Sequence, residues 1–303
     1  MKSISRQNSG FVLLSVMFSV TLLLTCALAF AWFAKTELKR VAAEAFIFKS
    51  RCAAEAACDY AMQKINEDKN GYDAITEQLY SPEGGISMDM GDYKLEIKIR
   101  PLNDKIAVQG LFLPDGNTLR NEYEYAWKTI WQQIGKPQLA PVVLDFMDKD
   151  DEPRLDGAER KEFLNRPVFE LFELKLLNGV TDADIFGSKK QKKCLKQFIS
   201  TAGSDKININ VATAETLSVL DKDIGFEAAK SLVSARLMAP FERVADLKKQ
   251  PGFSQAAIAR LNNVLSTEST HFELRIKVAQ GAQERIFKAI VQRGANAPLR
   301  LEE

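Results

Sequence analysis

From Phe11 to Ala34 the chain runs for 24 consecutive residues without a charged side chain, and 20 of them are apolar, the exceptions being Ser15, Ser19, Thr21 and Thr25. Coiled as an α-helix, such a run is ~36 Å long at about 1.5 Å per residue, enough to cross a hydrocarbon core of about 30 Å. The rest of the chain has the composition of a globular protein: of 303 residues, 46% are apolar and 27% charged, which excludes wholesale disorder. A mean hydropathy of −0.17 argues against several membrane spans. Lys2 and Arg6 precede the run, while Lys35 and Glu37 follow it. Two positive charges on the short leading side predict a single-pass protein with a cytoplasmic amino terminus and its bulk across the membrane.

Three plain readings of this start compete. A secretory signal cut after Ala27-Leu28-Ala29 is opposed by the apolar run continuing through Phe30 and Phe33. A lipobox at Leu23-Leu24-Thr25-Cys26 has an ill-fitting Thr before the Cys. A simple signal anchor leaves unexplained why the polar leader ends in Ser9-Gly10 directly before Phe11. That junction resembles the class III leader of type IV pilins and type II secretion pseudopilins. The resemblance implies that a prepilin peptidase cuts between Gly10 and Phe11, and that Phe11 is then N-methylated. The family usually has Glu at the fifth mature position, where this chain has Ser15. In assembled pilins that Glu is thought to meet the amino terminus of a neighbour, so its loss marks a subunit with no neighbour above it.

Beyond the membrane run, Leu38, Val41, Ala45, Phe48, Cys52, Ala56 and Tyr60 recur at steps of three or four, and no Pro or Gly intervenes before Asn70-Gly71. This predicts one helix of nearly sixty residues with an apolar stripe on its second half. Two segments far apart alternate as strands. In the first, Tyr93, Leu95, Ile97 and Ile99 lead to a turn at 101–104 and a return strand opening at Ile106 and Val108. In the second, Phe272, Leu274, Ile276 and Val278 lead to a turn at 280–283 and a return over 285–291. Each hairpin has one apolar face that needs a cover, and the amphipathic half of the helix is the candidate. The expected fold is α+β: a pilin-like long helix on an antiparallel sheet, interrupted by a large inserted all-α domain. The expected segments are a leader over 1–10, the membrane part of the helix over 11–34, pilin-like parts over 35–119 and 268–303, and the insert over 120–267.

Within the insert, helices are expected over 122–134, 158–164, 189–199, 214–220, 226–237 and 255–265, separated by Pro and Gly. Carboxylates crowd the stretch from Asp145 through Asp148, Asp150 and Asp156 to Glu159. Two readings stand side by side. Hard oxygen donors at this density suit Ca²⁺, which takes six to eight of them, although Pro153 stands where an EF-hand loop needs Gly. Alternatively the charges are solvated and Asp156 caps a helix beginning near Ala158.

The stretch Lys206-Ile207-Asn208-Ile209-Asn210-Val211-Ala212 resembles two families: helix-hairpin-helix modules of DNA-uptake proteins and the insert of type II secretion system protein K. The DNA reading needs a Gly-rich hairpin with amides aimed at phosphate. Here residues 220–226 offer one Gly and the two carboxylates of Asp221 and Asp223, and residues 206–265 carry eight Lys+Arg against six Asp+Glu. No nucleic acid is expected on that balance. The protein K resemblance covers nearly the whole chain: the class III leader, the missing Glu, the Asp145…Asp148…Asp150…Gly157-Ala158-Glu159 block with Phe146 for the usual Trp, and Asn208, Asn210 and Ala212 in order.

That resemblance implies a minor pseudopilin of the inner membrane. It would cap the tip of a periplasmic pseudopilus with minor pseudopilins I and J and prime the major pseudopilin beneath, possible calcium binding included. A minor pilin of a type IV pilus and a membrane-anchored DNA-uptake protein are the alternatives. No nucleophile–base pair, phosphate loop or His/Cys metal spacing points to an enzyme. Of four cysteines, Cys26 lies in the membrane run, Cys52 and Cys58 are too far apart on one helix to bridge, and at most one of them pairs with Cys194. Removing Lys2 and Arg6 with the leader turns 41 basic residues into 39 against 40 acidic ones, a near-neutral subunit.

Overall fold

In a computed structural model the backbone is described for residues 7–303 and side chains from residue 10. Lys2 and Arg6, which carry the expected orientation, lie outside the described residues. The chain forms two compact units, residues 1–53 and 54–303, and the helix α1 (Gln7–Glu67) contributes to both.

In the first unit the apolar run is helical throughout and none of its most hydropathic window is buried. Its four hydroxyls are spent on the helix itself. Ser15 Oγ donates to Val12 O at 2.9 Å, Ser19 to Ser15 O, Thr21 to Met17 O and Phe18 O, and Thr25 to Leu22 O. Satisfied in this way, they leave no polar group seeking water and are compatible with a hydrocarbon surround. Length and composition are those of a membrane span.

The expected apolar stripe is corrected. Leu38 (71% exposed), Val41 (55%) and Phe48 (70%) face outward, with Ala45, Cys52 and Ala56 also exposed. In the second unit the buried face of α1 is Ala54, Ala57, Cys58, Ala61, Met62 and Ile65. It has the same three-and-four spacing, rotated round the helix. Small side chains rather than the bulkiest ones mark the buried face, because they admit a close neighbour. The helix therefore carries two apolar faces, one buried and one open.

The second unit holds a five-stranded antiparallel sheet of order β1-β2-β7-β8-β9. Its strands are β1 (Ile86–Met90), β2 (Tyr93–Pro101), β7 (His271–Gln280), β8 (Gln283–Gln292) and β9 (Arg300–Glu302). Leu95, Ile97 and Ile99 are buried on β2, Phe272 to Val278 alternately on β7, and Phe287, Ala289 and Val291 on β8. Lys94, Glu96, Lys98 and Arg100 face water, so the period-two reading fixes the core face correctly. The second hairpin forms as expected, with Gly281 at φ +58° in its two-residue turn.

The first hairpin differs. β2 pairs backward with β1 through Gly91 (φ +59°) and Asp92, and forward with β7 from Lys94↔Ala279 to Pro101↔Phe272. Both edges of β2 are then occupied, leaving no room for a return strand from Ile106. Instead β3 (Ile106–Ala107) pairs in parallel with β4 (Ile199–Ser200), and Val108 opens a short 3₁₀ turn. Because β2 and β7 are neighbours, everything from residue 102 to 270 is looped out between adjacent strands.

The looped-out part contains α2 (Asn121–Ile134), α3 (Leu139–Met147), α4 (Asp182–Phe186), α5 (Ala214–Leu220), α6 (Phe226–Met238) and α7 (Gln255–Leu261). A second short parallel pair joins β5 (Ile207–Asn208) to β6 (Leu265–Ser266). One apolar cluster runs through it, from Ile106 and Leu111 to Leu265, with Trp127, Trp131, Phe146 and Phe198 fully buried. Trp127 Nε1 donates to Ala140 O at 2.8 Å and fastens α2 to α3.

Four expected helices are found, α7 ending earlier because Leu265 enters β6. Residues 158–164 and 189–199 are not α-helical. In the first, the Ala158 amide is taken by Asp145 Oδ2, and Asp156 has φ +61°, so no helix starts there and Asp156 caps none. In the second, lysines at 189, 190, 192 and 193 repel one another, and order returns only in a 3₁₀ turn at Leu195–Gln197.

Candidate functional site

The chain leaves the sheet after β2 and re-enters it before β7, and asparagines tie the two crossings together. Asn103 is buried at the exit. Its Nδ2 donates to Ser204 Oγ (3.0 Å), Lys206 O (2.9 Å) and Thr270 Oγ1 (3.4 Å), while its Oδ1 accepts from the amides of Thr270 and His271. Asn208 Nδ2 donates to Asp73 O and Ser269 Oγ, both at 2.9 Å. Asp73 is itself fully buried, held by Arg293 Nη2 at 2.7 Å and by the Ser269 amide.

Asn210 faces the other way, exchanging two 2.9 Å bonds with the Phe241 backbone. Ala212 is fully buried, and Arg236 Nη1 donates to its carbonyl at 2.6 Å and to Ile209 O at 2.7 Å. Burial pushes the Arg236 pKa down to about 10. The Asn-x-Asn-x-Ala entry is thus a buried polar knot joining the sheet, the return segment and α6.

The hairpin after α5 presents carboxylates. Asp221 accepts from Arg260 Nε and Nη2 at 2.7 Å each, and Asp223 Oδ2 also accepts from Arg260 Nη2. Those hydrogen bonds hold the Asp221 carboxyl below the usual carboxylate range. Arg260, packed against this hairpin, is therefore committed to its aspartates.

The acidic block divides. Asp145 and Asp148 are fully buried, and Arg154 Nη1 bridges them while its Nη2 donates to Asn117 O. Asp145 also accepts from the amides of Arg154 and Ala158. Asp150 Oδ1 accepts from the Glu152 amide, and Asp156 is exposed. Burial pushes Asp148 up to about 6, and burial together with the charge of Asp145 raises Glu159. Three buried oxygens here have no donor: Asp148 Oδ1, Glu159 Oε1 and Asn165 Oδ1. Among the described residues no three acidic, His or Cys side chains converge as a metal site. All-oxygen donors with unmet acceptor capacity nonetheless have the chemistry of a hard-cation site.

At the other end of the chain, Gly10, Phe11 and Ser15 lie on the first exposed turns of α1, with Phe11 74% exposed. Because the Ser15 hydroxyl bonds within the helix, this position offers a neighbour neither charge nor a free donor.

Comparison with known proteins bears on the same segments. The family model for type II secretion system protein K matches residues 207–268, the span from the asparagine entry to the last turn before β7. The type II secretion system protein K of Klebsiella pneumoniae is 22% identical over 171 residues, covering 52% of this chain and 50% of that protein. The chain therefore spans about half the length of this curated relative in the match. A chain of the crystal structure of the GspK-GspI-GspJ complex from the enterotoxigenic Escherichia coli type 2 secretion system has the same fold. The TM-score is 0.63 at 16% identity, over 87% of this chain and 98% of that one. Residues 207–268 thus resemble the type II secretion system protein K family, and the chain shares the fold of a chain in that complex.

The asparagine entry proves to be architecture: Asn208 and Asn210 are fully buried. The sequence reading singled out Asn208, Asn210 and Ala212 but missed Asn103, Asp73 and Arg236, which complete the knot. Arg236 sits on a helix among exposed charges and carries no local sign of burial. Arg154 did have a signal: it is the one basic side chain between Asp150 and Gly157.

Proposed function

We propose that this protein is a minor pseudopilin at the tip of a type II secretion pseudopilus, where it assembles with minor pseudopilins I and J and primes the major pseudopilin beneath. The observation that carries the reading is the pair of apolar faces on α1. One is buried within the chain, while Leu38, Val41 and Phe48 stay open for helices of subunits below. Ser15 adds the asymmetry, since it has no carboxylate to receive a subunit above. The bulk looped out between β2 and β7 would obstruct side-by-side stacking of identical copies. On this reading the amino terminus is cytoplasmic, the helix spans the inner membrane and residues beyond it are periplasmic. The prepilin peptidase removes residues 1–10. The domain boundaries lie near Asn103 and Thr270, where the knot closes the loop. Co-expression with minor pseudopilins I and J should give a complex containing one copy of each. Homo-polymeric filaments, or no association with I and J, would contradict it.

We also infer that the acidic block takes a hard cation such as calcium, with Asp148 and Glu159, each of which has a buried oxygen without a donor, among its ligands. Calcium should raise the unfolding midpoint relative to chelator, and Asp148→Asn should remove most of that rise. Equal midpoints with and without calcium would sink the reading.

A further inference from the structure

The segment that failed to become a helix carries the most concentrated positive charge in the protein. Lys189, Lys190, Lys192, Lys193 and Lys196 fall within eight residues, and all but Lys193, which is half-buried, are exposed. None of the five makes an ion pair among the described residues, and the carboxylates beside them are already engaged. Asp184 is held by Lys136 at 2.6 Å and Asp182 by Lys175 at 2.9 Å. Glu227, across at α6, is paired with Lys230. In a chain of nearly balanced charge, five uncompensated cations in one loop form a local positive field.

Aromatic rings accompany them. Phe186 is 50% and Phe226 39% exposed. The Lys196 ammonium lies 5.9 Å from the Phe186 ring centroid, Lys193 5.7 Å and Lys230 4.6 Å from that of Phe226. Cations and open apolar rings are presented side by side. A bilayer surface has the complementary order, phosphates outermost and acyl chains beneath, and lysine-rich stretches with Phe bind it through both. The same chain carries a membrane span, so it works beside bilayers.

We propose that the loop over residues 187–196, with Phe186 and Phe226, is a docking surface for the phosphate headgroups of an anionic lipid bilayer. Its test uses the full chain held in neutral phosphatidylcholine nanodiscs. The discs are mixed with phosphatidylcholine vesicles that either contain or lack phosphatidylglycerol, and co-flotation is measured. Capture only by the anionic vesicles, weakening as salt rises, is expected. The variant carrying Lys189→Gln, Lys190→Gln and Lys192→Gln should lose roughly a hundredfold in vesicle affinity. It should keep the wild-type unfolding midpoint, because these side chains make no contacts that hold the fold. Phe186→Ser should weaken capture further. Four results would overturn the proposal. They are equal capture by neutral vesicles, no loss in the triple variant, abolition by millimolar inorganic phosphate, and preference for polyglutamate or DNA over anionic vesicles.

Discussion

Asn103 shows how much can depend on one side chain that no sequence pattern marks. It accepts from two half-buried amides, and its Nδ2 lies within 3.4 Å of three acceptors where the chain leaves and re-enters the sheet. Asn103→Ala would strand those amides without partners, so we expect a loss of about 3 kcal/mol in urea unfolding. The surface substitution Lys189→Gln should change stability by less than about 0.5 kcal/mol. Asp221 adds a pH dependence. Its carboxyl is held below the ordinary range by Arg260, so the stabilisation is present above the unfolded-state value of about 4 and is lost as pH falls through the lower folded-state value. Unfolding midpoints measured across acid pH should fall steeply for the wild type and more gently for Asp221→Asn. Parallel curves would remove Arg260 as the cause. Asn208 and Asn210 were visible through the family resemblance of their stretch, but their partners Asp73, Ser269 and Phe241 were not. Those contacts join residues far apart in the chain, and local periodicity carries no information about them.

At the scale of elements, patterns with one wet face were read correctly. The alternation on β2 and β7 placed Leu95, Ile97, Ile99, Phe272, Leu274, Ile276 and Val278 on the buried face, because a period of two leaves only one choice of face. α1 was harder, since it has apolar residues on two sides, and the larger ones mark the open side. The helix over 158–164 failed for a different reason: Asp145, sequence-distant and buried, takes the amide that would have started it. Strand pairing was misjudged where Gly91-Asp92, a two-residue turn, was overlooked. The two faces of α1 make opposite predictions. Ala57→Leu forces bulk into the buried face and should cost about 1–3 kcal/mol of stability. Phe48→Ser, on the open face, should leave the unfolding midpoint unchanged yet weaken recovery of the proposed complex with minor pseudopilins I and J. If Phe48→Ser assembles as well as wild type, the open face is not an assembly surface.

At the scale of the molecule, the proposed end position rests on three parts: a helix with the length and composition of a membrane span, a sheet with one buried face, and a helical body looped out between adjacent strands. In that proposal the helix offers its open face, the sheet anchors the body, and Ser15, bonded within its own helix, supplies no charge to a further subunit. All of this presupposes that Phe11 is the true first residue. The most direct measurement is the intact mass of the chain after co-expression with the prepilin peptidase. The account predicts loss of residues 1–10 and one added methyl group on Phe11. A chain that keeps its leader, or one cut after Ala29, would contradict it.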